Sequence, residues 1–221
     1  MIFSRQIAFW GEKKQLRLQK STIFIAGIGG LGCLLSEILV RSGIGKVYLC
    51  DNGIIEKPDL NRQIFYTQKD IGKRKVDIAT KRLSEIHSFT EIVPVGVNIK
   101  DKNFILPSDI SGVADCLDNF ESRFVLWDKL PRNKFYVHAG VERFYGQVVT
   151  LIKGSSPTLR DIFSNYKVLE GPIPVCAHSV SVISSIAATE VVKNIFNEPV
   201  LLNRMLVIDL SDFTFIKLDV K

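Results

Sequence analysis

Apolar and polar positions along the chain divide it into alternating strand and helix segments. Ile23–Ala26 is a short apolar run, and Leu31–Ser42 follows with apolar residues at helical spacing, stopped at Ser42-Gly43. Lys46–Cys50 is a second strand run. Gly72–His87 keeps one apolar face through Val76, Ala79, Leu83 and Ile86 and predicts a helix. Glu91–Val97 alternates as a strand does, Val113–Leu117 is a short buried run, and Ser122–Leu130 reads as a helix ended by Pro131. Phe135–Ala139 and Gln147–Ile152 are further strands. Ala177–Asn194 is a helix rich in small residues, and Met205–Leu210 and Thr214–Leu218 make a closing hairpin. Met1–Gln19 is helical, with Ile7, Phe9 and Trp10 as apolar anchors. The polar segment 154–174, with prolines at 157, 172 and 174, predicts a mobile crossover loop. This order predicts an α/β fold: a Rossmann-like, mostly parallel sheet with helices on both faces and an antiparallel C-terminal extension. With no repeat and no linker, residues 1–221 read as a single domain, of which 1–20 form an N-terminal helical arm.

The join between the first strand and first helix carries the first chemical signal. Ile23–Gly32 reads IFIAGIGGLG, with glycines at 27, 29, 30 and 32. Glycine lets a backbone approach a phosphate where a Cβ would block it, and a helix N-terminus offers unpaired N–H groups. Asp51 ends the next strand run, VYLCD, where a carboxylate accepts hydrogen bonds from ribose hydroxyls. The chain is thus expected to bind a nucleotide. A nicotinamide dehydrogenase would use these glycines and Asp51 in the same way, so the rest of the chain must arbitrate.

Composition narrows the classes. The 221 residues are 46% hydrophobic, enough for a sizeable core, and the formal charge of +6 is scattered. No basic run with interleaved aromatics occurs, so a dedicated nucleic-acid surface is not expected. Neither a secretory leader nor a membrane-spanning stretch is evident, which points to a reducing, cytoplasmic setting. The four cysteines, at 33, 50, 116 and 176, form no C-x-x-C pair, so a four-cysteine zinc site is not supported.

Three further motifs favour a triphosphate over a dinucleotide. Asn61-Arg62-Gln63 places a guanidinium and two amides in one loop after the second strand. Asp70-Ile71-Gly72-x-x-Lys75 puts a lysine in the first turn of a helix, a point-charge partner for a β- or γ-phosphate. Asp115-Cys116-Leu117-Asp118-Asn119-Phe120 sets carboxylates at a strand end, where Asp118 either caps the next helix or holds Mg²⁺, which prefers oxygen ligands. Two cations, amides and a metal-binding acid suit ATP.

Taken together, IAGIGGLGCLLSEILVRSGIGKVYLCDNGIIEKPDLNRQIFY, then GKRKVDIATKRL, then DCLDNFESRF resemble the ThiF/MoeB/HesA family of ubiquitin-activating-enzyme-like adenylyltransferases. The resemblance runs from about Arg5 to Lys193. It implies adenylation of the C-terminal glycine of a small ubiquitin-like sulfur-carrier protein ending in Gly-Gly, with ATP and Mg²⁺ and release of pyrophosphate. Such reactions serve thiamine or molybdopterin biosynthesis. Carried over by position, Gly29, Gly30 and Gly32 face the phosphates and Asp51 the ribose. Asn61, Arg62 and Lys75 contact the triphosphate, with Gln63 and Asn119 in the same site, and Asp118 holds Mg²⁺. Arg5 matches an arginine that reaches the partner's ATP site in relatives, which implies a homodimer.

The chain departs from the family in two places. Val175-Cys176-Ala177-His178-Ser179-Val180 matches a C-x-x-x-G-V segment with Ser179 in place of glycine. Cys176 is therefore either a nucleophile for a thioester or acyl-persulfide step or an inert cysteine at a helix start. The cysteine pairs that bind structural zinc in many relatives are missing near Ser155–Phe163, so no zinc is expected. Three alternatives stay open. One is the family branch that adenylates a tRNA-base carboxylate. The others are a nicotinamide oxidoreductase and a non-catalytic subunit of the same fold.

Overall fold

The computed structural model describes residues 2–166 and 171–220. One eight-stranded sheet runs through it: β1 (Thr22–Ala26), β2 (Lys46–Cys50), β3 (Glu91–Val95), β4 (Gly112–Asp115), β5 (Phe135–Glu142), β6 (Tyr145–Ile152), β7 (Arg204–Asp209) and β8 (Thr214–Asp219). Their spatial order is β3-β2-β1-β4-β5-β6-β7-β8. The first five pair in parallel, and β6, β7 and β8 add antiparallel strands. The expected fold class is what is found.

The helices are α1 (Ser4–Trp10), α2 (Glu12–Gln19), α3 (Gly30–Arg41), α4 (Lys75–Ser84), α5 (Phe120–Lys129), α6 (Leu159–Ile162) and α7 (Ala177–Ile195). Side chains alternate along each strand, so the sheet buries two separate cores. Ile23 and Ile25 of β1 join Leu35 and Leu39 of α3, Leu83 of α4 and Val191 of α7 on one face. Phe24 and Ala26 join Leu126 and Trp127 of α5 and Tyr136 of β5 on the other.

The structure refines three expectations. The N-terminal arm is two helices, because Gly11 takes a φ of +84° that only glycine adopts freely. Strands β5 and β6 extend past their expected ends into a hairpin closed by Arg143, at φ +53°, and Phe144. Segment 154–174 is not wholly irregular: Thr158 and Asp161 cap α6 reciprocally, and Leu159 is fully buried. The expected mobility of that loop falls partly on residues 167–170, outside the described residues. No described helix is long and apolar enough to cross a membrane.

Candidate active site

β1 pairs with β2 on one side and β4 on the other, so chain connections leave in opposite directions at the C-terminal ends of β1 and β4. Open α/β sheets bind ligands in the crevice at such a switch point. Here a cleft of about 790 Å³ opens there.

The glycines of the β1–α3 turn divide their work. Gly27 has a φ of +87°, and a Cβ on it would lie 2.7 Å from the Cys116 carbonyl oxygen. A Cβ on Gly32 would lie 1.8 Å from the Gly27 oxygen, so Gly32 lets α3 close onto the turn and is absent from the cleft lining. Gly29 and Gly30 do line the cleft, and the nearest atom to a Cβ on Gly29 would be Gln63 Nε2 at 3.8 Å. Among the described residues no side chain caps the N-terminus of α3. Asp51 braces the turn: its two carboxylate oxygens accept the backbone N–H groups of Ile28, at 2.8 Å, and Gly53, at 2.6 Å.

Asp59 organises the cationic wall. The stretch after β2, expected to be irregular, holds 3₁₀ turns at Lys57–Asn61 and Gln68–Asp70. Asp59 falls within the first turn, with Arg62 three and Gln63 four residues on. Its carboxylate accepts from Gln63 Nε2 at 2.6 Å and lies 3.3 Å from Lys75 Nζ and 3.7 Å from the Arg62 guanidinium. Arg62 also donates to Pro58 O and Asn61 Oδ1. Asn61 is outside the lining and acts by holding Arg62. Gln63 is 3% exposed, and its Oε1 has no hydrogen-bond partner among the described residues. A buried orphan acceptor of this kind is expected where a ligand completes the site. Asp59 was not singled out from the sequence, although its spacing to Arg62 and Gln63 carries the signal.

Across the cleft, the α5 N-cap is Asn119, whose Oδ1 accepts the Ser122 N–H at 2.9 Å. Asp118 is thereby free of capping. It lines the cleft, is exposed to solvent, and among the described residues accepts only from Asn119 Nδ2. Behind this loop lies a buried cluster. Asp115, on β4, receives a hydrogen bond from Arg123 Nη1 at 2.9 Å and lies 2.8 Å from His138 Nδ1, which Arg123 Nη1 also contacts. Burial pushes the Asp115 pKa up, but Arg123 and His138 outweigh it and hold the carboxyl below its usual value. Burial, then Arg123, pushes the His138 pKa down to about 4, so the ring is neutral. Arg123 also donates to the Leu117 carbonyl, fixing the loop that carries Asp118.

The far half of the cleft lies over β5, β6 and β7, with Gly140, Glu142, Tyr145, Gln147, Ile173 and Val207 among its lining. Cys176, the N-cap of α7, is half-buried beside it, with Sγ 3.1 Å from His178 Nε2 and 3.0 Å from Ser179 Oγ. Arg5 is exposed on α1 and does not line this cleft; its neighbour Gln6 donates to Ser42 O, beyond the C-terminal end of α3.

These features define an α/β protein of the doubly wound class with a polar cleft at its switch point. Comparison carries the identification one step further. The ThiF family model matches residues 3–221, and the chain belongs to the ThiF family. It is 34% identical over 187 residues to the probable molybdopterin-synthase adenylyltransferase of Porphyra purpurea, covering 81% of this chain and 49% of that protein. It is 32% identical over 163 residues to the sulfur carrier protein ThiS adenylyltransferase of Bacillus subtilis, covering 71% and 48%. The chain thus spans about half the length of these relatives. The crystal structure of E. coli MccB with ATP superposes with a TM-score of 0.83 at 22% identity, over 99% of this chain and 71% of that one. That likeness establishes the fold.

Proposed function

We propose that this protein is an adenylyltransferase: it uses ATP to adenylate the C-terminal carboxylate of a small sulfur-carrier protein ending in Gly-Gly. The observation that carries this is the convergence of Arg62, Gln63 and Lys75 on Asp59, facing Asp118 across the glycine turn. Two cations, a buried orphan amide oxygen and an uncapped helix N-terminus suit a triphosphate better than the pyrophosphate of a dinucleotide.

The tail enters over β5–β7 and the nucleotide binds over β1, β2 and β4. A carboxylate oxygen of the tail bonds to the α-phosphorus while the bond to the β-phosphate oxygen breaks, and pyrophosphate leaves. The carboxylate is already ionised at neutral pH, so no general base is required. Arg62 and Lys75 neutralise charge that builds on the leaving group, and their fixed placement by Asp59 avoids reorganisation during the reaction.

Mg²⁺ fits the acidic side of the cleft. It keeps most of its waters and takes one or two carboxylates plus phosphate oxygens, and Asp118 offers one uncapped, solvent-facing carboxylate. Bound there with ATP, it would screen the phosphate charge.

The product would serve thiamine or molybdopterin biosynthesis, by analogy with what the relatives are named for. Cys176, with His178 in contact, is placed for a later sulfur or thioester step separate from adenylation. Arg5, on α1, would serve the site of a second copy in a homodimer. ATP–pyrophosphate exchange dependent on a Gly-Gly carrier tests the assignment. Exchange should be lost in Arg62→Ala and Asp118→Ala and kept in Cys176→Ala. Full exchange in Asp118→Ala would remove the metal assignment.

A further inference from the structure

The start of α7 gathers three side chains that adenylation leaves unused. Cys176 is the N-cap residue, and among the described residues no side chain caps the helix there. Its Sγ lies 3.1 Å from His178 Nε2 and 3.0 Å from Ser179 Oγ. A thiol has one hydrogen, so it cannot donate to both partners. Once that proton is gone, the sulfur accepts from both, beside the free N–H groups that open a 19-residue helix.

The surrounding chain holds this cluster in place. Ser179 is fully buried. The His178 ring packs on Phe144 at the tip of the β5–β6 hairpin, with centroids 5.5 Å apart. Arg143, beside Phe144, donates its N–H to the Pro174 carbonyl at 2.6 Å and ties the hairpin to the segment before Cys176. His178 is exposed, so a proton it takes up can pass to solvent. The same turn reaches the nucleotide half of the cleft. Val175 and Val180 line the cleft, and Val180 lies one turn beyond Cys176, about 6 Å along the helix axis. Val180 Cγ1 and Arg62 Cγ both come within 3.4 Å of the point a Cβ on Gly30 would occupy. The charged and titratable side chains on these packed elements are Arg62 and, on the hairpin, Glu142, Arg143 and Tyr145. Among the described residues none of the four hydrogen-bonds or ion-pairs with Cys176 or His178.

We propose that His178 is a catalytic residue for acyl transfer to Cys176: its Nε2 takes the thiol proton as Sγ attacks the activated carbonyl of a Gly-Gly tail. This deepens the carrier-tail reading of the site and rests on it. The C–S bond forms, the bond from that carbon to the AMP oxygen breaks, and AMP leaves with the electron pair. The proton goes from Sγ to His178 and on to solvent. Ser179 Oγ donates to the sulfur as the proton departs, which keeps Sγ aimed at the cleft.

The test uses a probe that needs neither ATP nor a carrier, the p-nitrophenyl ester of N-acetylglycylglycine. The full chain should release p-nitrophenolate in a burst equal to the protein concentration, with the acyl group on Cys176 by peptide mass mapping. His178→Ala should slow acylation of Cys176 by about 100-fold or more, the contribution of a positioned base. Added imidazole should restore much of that rate, a rescue that a merely structural role for an exposed ring would not give. Ser179→Ala should slow it by about tenfold, the effect of one hydrogen bond to a charged sulfur. Unchanged acylation in His178→Ala, a loss that imidazole does not restore, or acylation at a residue other than Cys176 would overturn the inference while leaving adenylation standing. Absence of pyrophosphate exchange with every Gly-Gly carrier tried would overturn the carrier reading, and the inference with it.

Discussion

Gly29→Ala separates the two tasks of the glycine turn. Its Cβ would meet nothing closer than Gln63 Nε2 at 3.8 Å, and its φ of −89° is negative, with ψ at −145° just past the edge of the extended region. Replacing glycine by alanine at a helix N-cap costs about 0.5–1 kcal/mol. Reduced freedom of the unfolded chain returns about 0.4–1 kcal/mol. The net change is within about 1 kcal/mol, a Tm shift of no more than about 4 °C for a chain of this size. The added methyl does project into the cleft, where the phosphates would lie against the α3 N-terminus. ATP affinity should fall by about tenfold or more, roughly 1.4 kcal/mol. Gly32→Ala should do the reverse in kind. Its Cβ would lie 1.8 Å from the Gly27 oxygen, so the turn or the helix must move. Overpacking of that sort costs about 1–3 kcal/mol, or roughly 2–12 °C in Tm. Thermal unfolding followed by fluorescence, and calorimetric titration with ATP, measure both quantities. A Gly29→Ala protein that melts as early as Gly32→Ala, or binds ATP like wild type, refutes the division.

Other consequences follow from the buried groups. The unfolded chain takes up a proton on His138 near pH 6.5, whereas the folded protein resists it until about pH 4. The unfolded state binds the extra proton in that window, so stability falls as pH drops from about 6.5 toward 4, by up to about 3 kcal/mol. Urea unfolding at pH 7 and pH 4.5 should show this loss, and His138→Phe should flatten it; an unchanged slope in the variant would contradict the assignment. Burial pushes the Cys33 and Cys50 thiols up to about 12 and Cys116 higher still, while Cys176 is half-exposed. Iodoacetamide at pH 8 should label Cys176 first in native protein, read by peptide mass mapping; earlier labelling of Cys33, Cys50 or Cys116 would show that the cleft opens more widely than described.

Much of the fold was legible because strand and helix periods are strong here. β1, β2 and α3 lie within a residue or two of their expected bounds, and Lys75 begins a helix as its motif implied. The limits of that legibility are physical. Gly11 breaks the N-terminal arm through a backbone angle that leaves no mark on hydrophobic periodicity. Gly32 and Gly29 look alike in sequence, yet one meets a carbonyl and the other open space. Asp59 went unnoticed because its partners meet it through a 3₁₀ turn and a lysine sixteen positions on, set by the meeting of two loops. The Asp115–Arg123–His138 cluster joins β4, α5 and β5, and only the sheet order brings those elements together.

The central claim is that this cleft joins AMP to a protein's C-terminal carboxylate. Intact-mass spectrometry of a Gly-Gly carrier, incubated with the protein, ATP and Mg²⁺ in the presence of pyrophosphatase, tests it directly. The predicted result is a carrier heavier by one adenylyl group, with pyrophosphate-derived phosphate released and no adduct in Arg62→Ala. An unmodified carrier accompanied by ADP, or tight NADH binding in the same cleft, would contradict it.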